Sequence, residues 1–260
     1  LPKRQLFMLV RMVLTVFVLV FYSAVCNANP VTFIAEDLPP YHFKNPQGET
    51  QGALVDIAKA VLKGTDLTAK FEIMPMARMF QQQQANPNAI MLSLLKTPNR
   101  HHQFKWLGKV YFADAYLVSL RSHKDEVIHL NFAKEYKVAT IRGYSAQTYL
   151  EAQGFTENEN LVLVSYYQQL WKMLYKDRID FVVTNTLTLE NELKRSGLDP
   201  HLISKRIHLD ELPSSLHFAA SNQLDSHTAK IISDRLNAIK ESGEYQQILN
   251  KWQLPMPKKL

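Results

Sequence analysis

The chain has 260 residues, enough for two modest domains or one large one, each with its own core. Apolar residues make up 46% and charged residues 21%, an ordinary globular balance that excludes a disordered chain. Glycine is scarce at 8, so any two domains are joined by short structured crossings, and the net charge of +6 comes without a basic, aromatic-interleaved block that would suggest a nucleic-acid partner.

Residues 1–28 read differently from the rest. Lys3, Arg4 and Arg11 give a positive start, Met12–Val25 is uncharged and almost wholly apolar, and Cys26-Asn27-Ala28 is a small-residue ending. This is the layout of a secretory signal peptide, with cleavage expected after Ala28 and a periplasmic destination. The apolar stretch falls short of the roughly 20 residues that a bilayer needs; a retained anchor requires counting from Leu6 and tolerating Arg11. The single cysteine, Cys26, lies inside this segment, with Val25 where a lipidation signal wants a small residue. The mature chain then has neither disulfides nor thiolate metal sites. Removal of the three basic residues leaves 27 Lys+Arg against 24 Asp+Glu, a net +3. The final Pro-Lys-Lys-Leu reads as a solvated tail.

Val31–Ala35 is a short apolar run ended by Glu36-Asp37 and Pro39-Pro40, as for a buried strand entering a loop. Tyr41-His42-Phe43 and a polar turn at Asn45–Gly48 follow. Leu54, Ile57, Ala58, Val61 and Leu62 then mark a helix that stops at Gly64. Ala69–Met74 alternates like a strand, Arg78–Gln84 reads as a short helix with Gln81–Gln84 facing solvent, and Ala89–Leu95 is a third strand. This β-α-β-α-β order implies parallel strands covered by helices. Ligands of such sheets bind beyond the strands' carboxyl ends, so Glu36–Tyr41, Arg78 and Ser93–Arg100 are expected to converge. Thr97-Pro98-Asn99-Arg100 leads into an aromatic-rich segment, Phe104–Phe112, and then Ala115–Leu120.

A second set of alternations follows Arg121. Strands are expected at Tyr136–Ile141, Leu161–Val164 and Ile179–Thr184, and helices from Ser145 to about Gln153, over Tyr167–Tyr175 with Leu170, Met173 and Leu174 on one face, and over Thr186–Ser196. Ser214–Ala220 is a returning strand, and helices from about Asp225 and over Glu244–Trp252 close the chain. The second α/β unit is thus inserted in the first. The two crossings are expected near Ala115–Leu120 and Ser214–Ala220, a hinge that permits closure on a ligand.

Five segments, PPYHFKNPQGETQGALVDIAKAV (39–61), AIMLSLLKTPNRHHQFKW (89–106), KVATIRGYSAQTYL (137–150), DRIDFVVTNTLTLEN (177–191) and ESGEYQQILNKWQ (241–253), together resemble the extracytoplasmic solute-binding proteins of the amino-acid-binding family. The resemblance spans nearly the whole mature chain. It implies an α/β, two-lobe periplasmic binding protein fold of type II. Residues 29–117 and 217–260 form the first lobe and 118–216 the inserted second. It also implies a small-molecule ligand, no cofactor, a monomer, and an ABC transporter permease as the membrane partner.

Within that resemblance Arg100 matches the arginine that grips the ligand carboxylate, a task suited to a bidentate guanidinium. Ser93 lies at the same strand end; Tyr41 packs or lines the cleft, and Trp106 packs. Ser145 follows Gly143 at a helix start, as an N-cap, an anion site or both, with Arg142 beside it adding charge or facing solvent. Asn185 stands where an aspartate usually meets the ligand ammonium, Leu38 and Arg78 where two aromatics clamp it, and Leu95 where a hydroxyl is common. Two arginines without that aspartate favour an anion with more than one oxygen group, whereas Glu36 and Asp37 could supply the missing charge and keep an amino acid in play. Two alternatives keep the fold: a dehydratase-like enzyme using Glu36 or Asp37 on a carboxylate, and a sensor docking on a membrane receptor. No metal spacing is present; His101-His102 decorate a loop.

Overall fold

Strand β1, Val31–Ala35, is buried along its whole length, as its mostly apolar run suits a strand inside a covered sheet. The computed structural model describes residues 30–257; the signal-like segment with Cys26 and the last three residues lie outside them. After β1 the chain forms a small hairpin, β2 (Phe43–Lys44) and β3 (Thr50–Gln51), around the expected turn. There the Asn45 side chain accepts from the backbone N–H groups of Gln47 and Glu49.

Helix α1, Ala53–Leu62, buries Leu54, Ile57, Ala58 and Val61, the stripe its spacing predicts. Its start is tied to the preceding loop: the N–H groups of Ala53 and Leu54 donate to the carbonyls of Pro40 and Tyr41, each at 2.9 Å. Gly52 makes this possible. Its φ is +133°, and a Cβ there would lie 2.3 Å from the Tyr41 carbonyl oxygen, a contact no side chain survives.

Strand β4 (Ala69–Ile73), helix α2 (Met76–Ala85) and strand β5 (Ala89–Leu95) complete the first alternation. Helix α2 starts two residues earlier than the sequence suggested, and its Gln83 is buried rather than solvent-facing. The aromatic-rich segment is strand β6, Lys105–Phe112, and Ala115–Leu120 is strand β7. The second alternation gives β8 (Val138–Ile141), α3 (Ser145–Ala152), β9 (Leu161–Val164), α4 (Tyr167–Leu174), β10 (Phe181–Asn185), α5 (Thr186–Arg195) and β11 (Ile203–His208). Strand β12 (Ser215–Ala220) and helices α6 (Ser226–Glu241) and α7 (Glu244–Lys251) close the chain.

The strands make two mixed five-stranded sheets, ordered β4-β1-β5-β12-β6 and β11-β7-β10-β8-β9. The β1, β4 and β5 pairings are parallel, as the β-α-β order requires, while β12 and β6 add on antiparallel. Helices α1, α6 and α7 cover one face of the first sheet, with Ile232, Leu236, Ile239, Tyr245 and Leu249 packed among Phe33, Leu54 and Phe218. The chain's last helices therefore do return to its first sheet. Helix α2 covers the opposite face.

One expectation needs correction. Ala115–Leu120 is not a crossing: it is β7, paired with β10 and β11 inside the second sheet. The passages between sheets are Ala113-Asp114 and residues 209–214, and the Ala113 N–H donates to the Ser214 carbonyl at 2.7 Å, pinning the two side by side. The strand Ser215–Ala220 likewise lies within the first sheet.

Helix α4 packs with Tyr167, Leu170, Trp171 and Leu174 inward, Trp171 taking the place expected for Met173. Trp171 Nε1 donates to Glu192 Oε2 at 2.7 Å and Thr188 Oγ1 to Glu192 Oε1 at 2.6 Å, holding a buried carboxyl between α4 and α5. Desolvation raises Glu192 to about 7, partly offset by those two donors. A carboxyl held above its unfolded value of 4.5 stabilises the fold fully below that value and loses the contribution as pH rises through about 7. Melting temperature is therefore expected to fall between about pH 5 and pH 8 more steeply in the wild type than in Glu192→Gln. Equal slopes in scanning calorimetry would show that Glu192 does not titrate there.

Candidate functional site

The carboxyl ends of strands from both sheets meet around one cavity of about 690 Å³, a figure that includes its open mouth. Glu36 follows β1, Ser93 and Leu95 end β5, Ser145 and Ala146 follow β8, and Thr184 and Asn185 end β10. The passages contribute Ala113, Leu212 and Pro213. Most of the lining is apolar, Leu38, Leu95, Val183 and Leu216 included, so its few polar groups are conspicuous.

Arg100 ends the single turn of 3-10 helix made by Pro98-Asn99-Arg100. Its guanidinium reaches across to the second sheet: Nη2 donates to the Gly143 carbonyl at 2.8 Å, and Nη1 to its own side's Leu95 carbonyl at 3.4 Å. Its flat face lies over the Phe80 ring, 5.2 Å from the centroid. Burial lowers its pKa to about 10, with Glu36 pulling the other way, so it remains a cation. Gly143 allows the approach, with φ +85° and a Cβ position only 3.2 Å from Met76 Cγ.

The Glu36 carboxyl is buried and pushed up to about 8. Desolvation is the main cause, and it outweighs the lowering influence of the nearby Tyr144 hydroxyl, of Arg100 and of the Met76 N–H at the start of α2. Tyr144, at the start of α3 on the second sheet's side, lines the same cavity as Glu36. Ser93 meets His42, a wholly buried residue whose Nε2 lies 2.6 Å from Ser93 Oγ and whose Nδ1 lies 2.7 Å from the Glu36 main-chain oxygen.

Tyr41 is buried against Tyr111, and its hydroxyl donates to the Phe112 carbonyl at 3.3 Å while accepting from Asn185 Nδ2 at 3.4 Å. Asn185 Oδ1 accepts from the N–H groups of Leu187 and Asp114, both at 3.1 Å, capping α5 and holding the first passage. Ser145 is the first residue of α3 rather than its cap; Tyr144 occupies the cap position, without a side-chain capping bond.

Three expected site residues lie elsewhere. Arg142 is exposed and paired with Glu157, a surface ion pair outside the cavity lining. Asp37 points away and is taken up by the second sheet's helices: Oδ1 pairs with Arg195 at 3.1 Å, and Oδ2 accepts from Tyr167 and Gln168 at 3.4 and 3.3 Å. Arg195 also stacks on Phe43 and donates to the Lys44 carbonyl. Arg78 is exposed on α2 and lines a neighbouring cavity with Asp37, Tyr166 and Gln168, a cavity that shares only Glu36 and Tyr144 with the first. Trp106 packs beside Phe104 and His217 and donates to the His101 carbonyl. His101 and His102 are exposed and stack edge-on upon each other. Among the described residues no group of three or more His, Cys, Asp or Glu could hold a metal ion.

Two residues of the site, His42 and Tyr144, escape sequence reasoning. Each neighbours a residue that was singled out, Tyr41 and Ser145: Tyr144 lines the cavity beside Ser145, while His42 lies behind the lining and reaches it through Ser93.

Two mixed sheets with a cavity between their strand ends are the architecture of the periplasmic binding proteins. The fold matches a histidine kinase sensor domain similar to such proteins, at TM-score 0.77 and 17% identity over 86% of this chain and 96% of the other. It also matches an ancestral arginine-binding protein bound to arginine, at TM-score 0.73 and 19% identity over 86% of this chain and 97% of that one. The chain belongs to the bacterial extracellular solute-binding proteins, family 3, whose sequence pattern matches residues 31–255. One relative, the arginine-binding periplasmic protein of Mannheimia haemolytica, is 26% identical over 249 residues, covering 92% of this chain and 97% of that protein.

The double use of Asn185 Oδ1 predicts the effect of its removal. Asn185→Ala should cost about 1–2 kcal/mol in denaturant unfolding, and Asn185→Asp, which keeps both acceptors, should cost less. Equal losses in the two variants would remove the capping role.

Proposed function

We propose that the protein captures an α-amino acid between its two sheets, in the periplasm, and hands it to an ABC-type permease. The observation that carries this reading is a guanidinium and a desolvated carboxyl facing one cavity, Arg100 and Glu36. A zwitterion supplies a carboxylate for Arg100 and an ammonium for Glu36, and so provides the counter-charge that a buried carboxylate needs. Glu36 thereby substitutes, from the first sheet, for the aspartate that the resemblance leads one to expect at Asn185. The lining holds one acid, which matches one cationic group, and Leu38, Leu95 and Leu216 suit an uncharged side chain better than a second cation. Residues 30–113 with 215–257 and residues 114–214, divided at the passages rather than at 117 and 217, serve as the lobes, opening about the paired passages. Export by a signal cleaved after Ala28 completes the reading.

Isothermal titration of the mature chain with the common amino acids and with dicarboxylates tests it. Arg100→Ala should weaken the best ligand about tenfold or more, and Arg142→Ala should change it by no more than about twofold. The same loss in both variants would unseat Arg100 as the anchor.

Protons report on Glu36. In the free protein the carboxyl is protonated below about 8, and an ammonium partner favours its ionised form. Binding at neutral pH should then release a proton, affinity should rise with pH and level off above about 8, and both effects should vanish in Glu36→Gln. Titrations in buffers of different ionisation heat measure this release directly; no release would exclude Glu36 as the ammonium partner.

The same carboxyl favours a second reading. A buried acid near 8 beside an anion anchor suits general acid–base work, as in a dehydratase acting on a cyclic carboxylate. Consumption of such a substrate by the wild type, lost in Glu36→Gln, would replace binding with catalysis.

A further inference from the structure

His42 offers a deduction about what the cavity demands of its ligand. The ring is wholly buried, and each nitrogen has one partner. The partner of Nδ1, at 2.7 Å, is the main-chain oxygen of Glu36, which can only accept, so Nδ1 carries the ring proton. Burial lowers the imidazole to about 4, so at neutral pH there is no second proton and Nε2 is a bare acceptor. Ser93 Oγ lies 2.6 Å from that nitrogen. Its hydroxyl must therefore be the donor. A hydroxyl has one proton to give, and once it is given to Nε2 only lone pairs are left for the cavity that Ser93 lines.

We propose that His42 is a positioning residue for specificity: it fixes Ser93 as an obligate acceptor, so the ligand group beside Ser93 must be a hydrogen-bond donor, as the ammonium of an α-amino acid is. This rests on the reading of the cavity as the ligand site and narrows its chemistry. Two acceptors, Ser93 and Glu36, then stand on the first sheet apart from the donors of Arg100. A ligand bearing an amine beside its carboxylate satisfies both. The 2-oxo acid of the same shape sets a carbonyl oxygen against Ser93, acceptor against acceptor, and a site built to hydrogen-bond one partner rejects its mismatch strongly.

The same atoms outline a serine–histidine pair of the kind used for nucleophilic attack, and the physical chemistry argues against that use. The ring is sealed from solvent and weakly basic, and its Nδ1 partner is a neutral carbonyl, which gives an imidazolium none of the stabilisation a carboxylate would. His42 holds the Ser93 proton in place without removing it.

Two measurements test the proposal. Nitrogen-15 spectra of the wild-type protein labelled at histidine, taken without ligand at neutral pH, distinguish protonated from bare ring nitrogens. A protonated Nδ1 and bare Nε2 are expected for His42, with Ser93→Ala shifting the Nε2 signal; a protonated Nε2 overturns the proposal. The second is the binding ratio of L-leucine, L-glutamine and L-arginine, each against its 2-oxo analogue. The preference for the amino form should drop about tenfold or more in both Ser93→Ala and His42→Phe, through weaker amino binding in the first and stronger oxo binding in the second. A purely structural role for His42 would weaken both probes together, and that unchanged ratio also overturns the proposal. If none of the probes binds the wild type, the amino-acid reading falls, while the ring signals still decide the His42–Ser93 arrangement.

Discussion

A carboxyl placed where it cannot keep its water is the constraint around which this molecule is arranged. Glu36 leaves the end of β1, the strand most completely enclosed by the first sheet, and enters the cavity with nowhere to turn. Its side chain faces the cavity beside Tyr144, Met76 and Arg100, while its main-chain oxygen fixes the His42 ring. The next residue, Asp37, faces the other way and collects Arg195, Tyr167 and Gln168. Two consecutive acids thus divide the labour: one is kept dry for the cavity and the other joins the two sheets near the surface.

The contacts across the cavity suit a joint that opens. They include hydrogen bonds and an ion pair, with Leu187 and Tyr144 adding apolar contact to the first sheet's clusters, and the Asp37–Arg195 pair is partly in water, with side-chain exposures of 29% and 38%. Bonds of this kind contribute little net stability because water replaces them when they part. Each sheet, in contrast, keeps its own apolar layers of helices, so separating the sheets leaves both cores intact. In the proposed opening, the paired passages at Ala113 and Ser214 are the points that would bend.

Much of the fold was legible because its strands are short unbroken apolar runs and its helices carry clear stripes; Ala89–Leu95 and Leu161–Val164 read off directly. The error over Ala115–Leu120 has a physical source. A strand that belongs to a sheet and a strand that crosses between sheets have the same apolar composition, and only pairing with Phe181–Asn185 tells them apart. The site divides in the same way. Arg100, Ser93, Glu36, Asn185 and Tyr41 could be named because strand ends and a family resemblance point to them. Arg142 could not be dismissed from sequence, because its partner Glu157 lies fifteen residues away on the surface. Nor could Asp37 be separated from Glu36, since adjacent residues leaving a strand face opposite sides and sequence does not say which side is the cavity. His42 carried no signal of its own: a lone histidine in a loop reveals its partners only when the chain is folded.

Gly52 ties the history of this site to the history of its scaffold. With the Tyr41 carbonyl where a Cβ would stand, and the N–H groups of Ala53 and Leu54 bound to Pro40 and Tyr41, the loop bearing Tyr41 and His42 is fastened to the head of α1 with no slack. A protein engineer who wished to graft a new specificity loop here could not exchange residues 36–42 alone. The unit of replacement is the loop together with the first turn of the helix, and a lineage diversifying its cargo would face the same indivisibility.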